Sequence, residues 1–305
     1  MYSGHKIILM LFVPACAFIL LMTGCTGQNE NIEYSTGEWN ADSLGYHRIV
    51  IHNKTDADAV LVEIPWRRRD KEPWNKAVIL TGGMPEKVIE NKLCLSSDNE
   101  KGYFVFEPVY GPGDYFLYYL PARMKGRSNY PTVIYPEPGQ TADNAWIDLH
   151  NLNDSASQEA LPVAQVTAIQ ARNDFNSFFP MEVIATKEEV SSLLERYPGK
   201  TYLLFPEDRK HSIRMQDYIP LKWIDDGPLG DIEGEARKGE YFTFQLGLYC
   251  IEKEINDIEI SFSDLKTGGK RIVVHHDSIA SFNTGGTGWD GKAISKKINV
   301  VENSV

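Results

Sequence analysis

Cysteine, basic charge and catalytic signature motifs are scarce in this 305-residue sequence. It has four cysteines, none at zinc-site spacing and too few for a disulfide framework. It lacks a Gly-x-Ser-x-Gly nucleophile elbow, a P-loop and a Gly-x-Gly-x-x-Gly fingerprint. A formal net charge of −11 argues against nucleic acid, because phosphates are bound by basic surfaces. We therefore expect no cofactor, no metal and no nucleic-acid partner.

The N-terminus carries an apolar run, Ile7 to Met22, after the single positive charge of Lys6. This run is short for a membrane span, which takes about 20 residues, and is typical of a signal-peptide core. Small residues precede Cys25, as in the lipobox of bacterial lipoproteins. We expect residues 1–25 to be a lipoprotein signal peptide, with Cys25 lipidated and held at the outer membrane or cell surface. An ordinary signal peptide or a membrane anchor is the alternative.

The remaining chain predicts a mostly β protein with two antiparallel β-sandwich-like domains and a small α/β insert between them. Residues 26–42 are polar and predict a tether. Residues 43–150 hold closely spaced strand candidates separated by turn residues, which indicates a first sandwich. The candidates are Arg48 to His52, Ala59 to Ile64, Ala77 to Leu80, Tyr103 to Phe106, Tyr115 to Leu120 and Thr132 to Tyr135.

Residues 151–233 predict a connector with one helix and flanking strands. Thr186 and Glu189 have the spacing of a capping box, and Pro198-Gly199 ends a helix over Lys187 to Tyr197. The stretch from Val163 to Arg172 fits strand or helix, and we favour a strand. Thr201 to Phe205 predicts another strand.

Residues 234–305 predict a second sandwich that is incomplete. In Glu240 to Cys250, alternate residues from Phe242 to Leu248 are apolar, and we expect that face to meet a core. Further strand candidates are Ile258 to Phe262, Arg271 to His275 and Ile294 to Val300, with a glycine-rich loop at residues 283–289. Few hairpins are present for a closed sandwich, so the region either is truncated or packs against the first domain.

Several segments resemble glycoside hydrolase family 123-like proteins, within the wider set of bacterial "glycoside hydrolase domain" lipoproteins. The segments that carry the resemblance are Gly239-Glu-Tyr-Phe-Thr-Phe-Gln-Leu-Gly247, Phe262-Ser-Asp-Leu265, Phe282-Asn-Thr-Gly-Gly286, Ile64-Pro-Trp-Arg-Arg-Arg-Asp70, Arg127-Ser-Asn-Tyr-Pro131 and Phe179-Pro-Met-Glu-Val-Ile184. The resemblance implies a β-sandwich region ahead of a catalytic barrel. In that barrel an adjacent Asp-Glu pair is understood to assist cleavage of N-acetylhexosaminides.

No segment of this sequence matches the barrel, so no residue inherits those catalytic roles. We predict a non-catalytic N-terminal portion that supports glycan breakdown and is inactive alone; a stand-alone glycan-binding lipoprotein and a structural remnant are the alternatives. Asp225-Asp226 imitates the acid pair, but Gly227-Pro228 favours a turn there. Glu188-Glu189 belongs to the first helical turn.

Two polar clusters have competing interpretations. His275-His276-Asp277 suggests a metal, but neighbouring residues of a strand point to opposite faces, which predicts no shared ion. Trp66, Arg68, Asp70 and Trp74, with Tyr130, are candidates for glycan binding. The alternative is an ion network at an inter-domain contact, with arginine stems lying on aromatic rings.

Cys94 and Cys250 could pair in an oxidising envelope, although Cys250 lies on the apolar face predicted for its strand. We favour two buried free thiols over a disulfide, because free cysteine behaves as a small hydrophobic residue.

Overall fold

The computed structural model describes residues 32–127, 129–177, 179–228, 231–232, 234–252, 255, 258–268, 272–281 and 298–300. Over these ranges the chain is mostly β, as predicted. The strands are β1 (Glu33–Thr36), β2 (His47–Asn53), β3 (Val60–Ile64), β4 (Val78–Gly82), β5 (Lys87–Val88), β6 (Lys92–Ser97), β7 (Gly102–Phe106), β8 (Gly113–Tyr119), β9 (Arg123–Arg127), β10 (Tyr130–Ile134), β11 (Val163–Ala171), β12 (Tyr202–Glu207), β13 (Gln245–Cys250), β14 (Ile258–Ile260), β15 (Leu265–Lys266), β16 (Ile272–Val274) and β17 (Ile298–Val300).

Helices are short and few in the described ranges. They are α1 (Ala41–Leu44), α2 (Asn144–Leu149), α3 (Ser155–Glu159), α4 (Lys187–Glu195) and α5 (Leu221–Asp226). Single 3-10 turns cover Pro73–Asn75, Asp174–Asn176 and His276–Ser278. None of the helices in these ranges has the length and hydrophobicity that a membrane-spanning helix requires.

The first strand-rich unit is a curled sheet with the order β5-β4-β8-β2-β11-β3-β7-β6, and β1 pairs in parallel with β11. Strand β11 joins the two halves, because its first residues pair with β3 and the rest with β2. A bulge between Val166 and Ala168 interrupts the second pairing, and bulges bend strands. The two halves thus enclose one core that includes Ile49, Val62 and Leu117.

The sandwich draws on segments outside residues 43–150. Strand β1 lies in the segment predicted to be a tether, and β11 lies in the predicted connector. The strand interpretation of residues 163–172 is therefore confirmed, and 33–36 is part of the sheet. Helix α2 packs Trp146 and Ile147 against Val105 on the outside of the sheet, where the sequence showed us no helix.

The second unit packs α4 and α5 on the antiparallel pair β12–β13. Helix α4 begins at Lys187, and both hydrogen bonds of the predicted capping box are present. Its buried Leu193 contacts a cluster that includes Leu203, Phe205 and Trp223. The pairing of β12 with β13 crosses the boundary predicted at 233/234, so these segments form one sheet. The later strands pair as β14–β17 and β15–β16.

The prediction of which β13 face meets a core was wrong. Leu246 is 52% exposed and Phe244, just before the strand, is also exposed, whereas Gly247 is buried and Tyr249 packs on the α4–α5 cluster. The reason is the Trp223 ring, since a Cβ added at Gly247 would lie 2.3 Å from it. Because Gly247 has no side chain, its backbone can pack against the Trp223 ring. Gly247 therefore faces the core, and the neighbouring Leu246 points to the opposite, exposed face of the strand.

Candidate functional site

The segment from Trp66 to Asp70 leaves the end of β3 and lies against the turn between β6 and β7. The backbone N–H of Arg67 donates to the Glu100 carbonyl at 3.0 Å. The side chain of Asn99 donates to the carbonyls of Arg68 and Asp70 at 2.9 and 2.8 Å. These bonds hold the backbone of the segment and direct successive arginines to different partners.

Three of the predicted glycan-binding residues form a buried network. Arg68, 1% exposed, donates from Nε and Nη2 to the two carboxylate oxygens of Asp70 at 2.6 and 2.8 Å. Its guanidinium lies 4.7 Å from the ring centroid of Trp66, which is 2% exposed. Burial alone would raise the pKa of Asp70, but hydrogen bonds and charge from Arg68 and Lys76 lower it overall. Neither Trp66 nor Arg68 is available to a saccharide at the surface.

The other two predicted glycan-binding residues are exposed but lie on separate elements. Trp74 is 52% exposed in the 3-10 turn Pro73–Asn75, and Tyr130 is 87% exposed on β10. Strand β10 pairs only with β9 in the described ranges, and both strands are exposed along their length. Trp74 and Tyr130 therefore have solvent-exposed aromatic rings. Trp74 is the nearer in the chain to the segment from Trp66 to Asp70.

Arg67 links the sandwich to helix α4. Its Nη1 and Nη2 donate to Oε2 and Oε1 of Glu189 at 2.7 and 2.8 Å. Beside this pair lies a cleft of about 570 Å³. Its walls come from both units: Glu63, Pro65, Arg67, Glu100 and Lys101 on one side, and Thr186, Glu188, Glu189, Ser192, Arg196 and Ile224 on the other. The inter-domain ion network considered from the sequence is thus present.

Two of the four cleft carboxylates, Glu63 and Glu189, are paired with cations. Burial alone would raise the pKa of Glu189, but hydrogen bonds from Arg67 and the Thr186 backbone lower it overall. Glu63 pairs with Lys101 at 3.2 Å. A general acid for glycoside cleavage needs a raised pKa. The carboxyl group of Glu189 therefore does not have the raised pKa of such an acid, and the cleft offers charged and hydrogen-bonding groups to a ligand or partner domain.

Glu182 is a member of this network that sequence reasoning missed. Its buried carboxylate accepts from Arg69 Nε at 3.1 Å and from Arg214 Nη1 at 2.9 Å. A nearly buried carboxylate between two arginines fixes the Phe179–Ile184 segment to both the sandwich and the loop before α5. The signal available in the sequence was a lone glutamate inside an otherwise apolar stretch, Met181 to Ile184.

The two acid pairs have structural positions. Asp225 and Asp226 end helix α5, where we predicted a turn, and Gly227 follows with a φ of +75°. Asp226 accepts from Lys222 at 2.6 Å, one helical turn earlier. Glu188 and Glu189 lie in the first turn of α4, as predicted.

The prediction that His275 and His276 point apart was wrong. Strand β16 ends at Val274 and a 3-10 turn begins at His276, so the alternation of a strand does not apply. The two rings lie 4.2 Å apart, and both face Asp264. Hydrogen bonds from the backbone and imidazole of His276 lower the pKa of Asp264. Glu207, Asp208 and His211 form a second group with metal-ligand atoms.

The cysteine predictions are only partly met. Cys94 and Cys250 are free thiols, as predicted, but Cys94 is exposed and Cys250 is partly buried. Strand β6 turns Cys94 outward, which explains the difference. The lipidation candidate, Cys25, and the glycine-rich loop at 283–289 lie outside the described residues.

Residues 37–172 match the family model described as Glycoside hydrolase 123, N-terminal domain. No curated protein and no solved structure matches the chain. The matched residues begin just after β1 and end just after β11, so they cover every strand of the sandwich sheet except β1. They include Trp74 and the segment from Trp66 to Asp70. The resemblance is confirmed for this region, and its extension to residues 179–184 and 239–286 stays a prediction.

Proposed function

We propose that this chain, whose residues 37–172 match the family model of the glycoside hydrolase 123 N-terminal domain, is the non-catalytic N-terminal portion of an envelope lipoprotein that supports glycan breakdown. The family match over the sandwich carries the proposal. In this role the sandwich and the α4–α5 unit support a catalytic domain, and bond cleavage takes place outside the described residues.

Six carboxyl groups of the described residues have structural contacts, which supports a structural task for these six. Glycoside hydrolysis takes an acid that stays protonated until it donates to the leaving oxygen. The structure instead lowers the pKa of six described carboxyl groups: Asp70, Asp154, Glu189, Asp208, Glu240 and Asp264. Lowered values favour ion pairing and helix or turn capping, which are structural tasks.

Anchoring through Cys25 is part of this proposal. Acyl chains contribute about 0.8 kcal/mol per buried methylene, so lipidation would hold the chain at a membrane. We expect Cys25→Ala to move the protein from the membrane fraction to the soluble fraction of cells. An unchanged distribution would remove the lipid anchor from the proposal and leave the sandwich's role intact.

The enzymatic test uses the full chain and an aryl N-acetylhexosaminide. We expect no release of the aryl group above a buffer blank. The variant Asp225→Asn/Asp226→Asn removes the adjacent acids, and Asp217→Asn is the control at another exposed aspartate. Turnover that the double variant abolishes and Asp217→Asn retains would contradict a non-catalytic role.

Glycan binding is a second candidate function, favoured by the exposed indole of Trp74. Sugar rings have an apolar face that packs on an aromatic ring and hydroxyl groups that bind nearby charged side chains. Titration against a broad glycan panel should give saturable binding that Trp74→Ala weakens. Phe175→Ala removes a more exposed aromatic ring outside the Trp66–Asp70 segment and should leave affinity unchanged. Flat titrations would exclude this function.

A further inference from the structure

A carboxylate and two imidazoles meet where β16 ends. Oδ1 of Asp264 lies 2.8 Å from Nδ1 of His276 and 3.8 Å from Nε2 of His275. Ligand atoms on tetrahedral zinc, bound at about 2.0–2.1 Å, are roughly 3.4 Å apart. The two observed separations bracket that distance, and the ligand atoms of all three residues lie within 4.8 Å of one another.

Asp277 orients both rings from the other side. Its Oδ2 lies 3.1 Å from Nδ1 of His275, and its Oδ1 lies 3.0 Å from Nε2 of His276. Each imidazole therefore directs one nitrogen toward Asp264 and the other toward Asp277. Histidines that bind metals commonly donate their remaining N–H to such a carboxylate, which fixes the tautomer and the ring orientation.

The backbone helps to fix the same arrangement. The N–H of His276 donates to Oδ1 of Asp264 at 2.8 Å, which holds this carboxylate against the start of the 3-10 turn. Asp264 and His276 are mostly shielded from solvent, whereas His275 and Asp277 are open to it. An ion could thus enter from the side of His275 and take water as a further ligand.

The second group of ligand atoms fits a cation less well. It contains one histidine, His211, where the first group contains two. The carboxylate of Glu207 accepts from Lys222 at 3.1 Å and from the Trp223 indole at 2.8 Å. A metal there would have to compete with an ammonium group. This group serves as a comparison within the same chain.

We propose that Asp264, His275 and His276 bind one divalent transition-metal ion of the zinc class, with Asp277 positioning the two imidazoles. Two imidazoles and one carboxylate suit Zn²⁺ and its neighbours rather than Mg²⁺ or Ca²⁺, which prefer oxygen ligands. The site lies outside residues 37–172 and does not depend on the role proposed for the sandwich.

The test is Zn²⁺ titration of the full chain, produced without a polyhistidine tag, against a chromophoric chelator. We expect one equivalent of Zn²⁺ to bind. His275→Gln and His276→Gln should each weaken binding by about 100-fold or more, and Asp277→Asn by about 10-fold, as for a group that positions ligands. Co²⁺ added in place of Zn²⁺ should give visible absorption bands that either histidine variant removes.

His211→Gln and His52→Gln are the matched controls, because each histidine pairs with a single aspartate. Both should retain the wild-type affinity. The proposal is overturned if no Zn²⁺ binds, if His275→Gln and His276→Gln bind as the wild type does, or if His211→Gln alone abolishes binding. His275 is half-exposed, so His275→Gln remains informative should His276→Gln, at the more buried histidine, prevent folding.

Discussion

Replacing Glu189 by alanine should destabilise the contact between the sandwich and α4 more than any other exchange of a glutamate in that helix. The carboxylate of Glu189 accepts two hydrogen bonds from Arg67 and also accepts from the Thr186 backbone at 2.8 Å. The substitution therefore removes an ion pair between two units and half of a capping box at once.

The magnitude follows from these two losses. A helix cap contributes about 1 kcal/mol, and hydrogen bonds to charged groups about 1.5–3 kcal/mol. The side chains of Arg67 and Glu189 are 21% and 29% exposed, so solvent screens the pair only in part. We expect the free energy of unfolding to fall by roughly 3 kcal/mol at pH 7.

Urea unfolding followed by tryptophan fluorescence measures this loss, and Glu188→Ala is the control. Glu188 shares the first turn of α4 but is exposed, so its loss should cost about 0.5 kcal/mol or less. In a double-mutant cycle, Arg67→Ala and Glu189→Ala should couple, because they remove the same bonds. Equal effects of Glu188→Ala and Glu189→Ala would refute this reasoning.

The same pair should depend on pH with a definite sign. The folded pKa of Glu189 lies below its ordinary value of 4.5. Its contribution is therefore complete above pH 4.5 and is lost as the pH falls through the lower folded value. The difference between the wild type and Glu189→Ala should shrink over that acidic range, and a difference that grows there would contradict the assignment.

Two further predictions concern the cores. Gly247→Val should lower the free energy of unfolding, measured by thermal unfolding, by about 1–3 kcal/mol, because the valine side chain would enter the space of the Trp223 ring. Gly139→Ala, where the added methyl group meets open space, should have little effect in the same measurement. Burial lowers the pKa of His47 from 6.5 to about 4, so the unfolded chain binds the extra proton between these values and stability falls as the pH drops from 6.5 to about 4. The loss is about 3 kcal/mol, and His47→Gln should remove it in pH-dependent urea unfolding; an unchanged pH profile would contradict this.

Signals that act between residues close in the chain correctly predicted helix α4 and strand β2. The capping residues Thr186 and Glu189 fixed the start of α4, and the strand predicted at Arg48 to His52 lies within β2, whose burial alternates along its whole length. Both signals act within a few residues, so tertiary contacts reinforce them without changing them.

Tertiary contacts decided what the sequence left open. Strand β13 has apolar residues on both faces, and only the distant Trp223 determines that Gly247 faces the core. The burial of Arg68 depends on Asp70, Lys76 and the Tyr119 ring meeting in space. The approach of His275 to His276 depends on where β16 ends, which alternation alone does not reveal.

The most direct measurement for a supporting role is the sequence of the native gene beyond the codon for Val305. A role as the N-terminal portion of a glycoside hydrolase predicts that coding continues, in this or a neighbouring frame, into a barrel with an adjacent Asp-Glu pair. A terminator followed by an unrelated gene would contradict that role and make glycan binding through Trp74 the function to test.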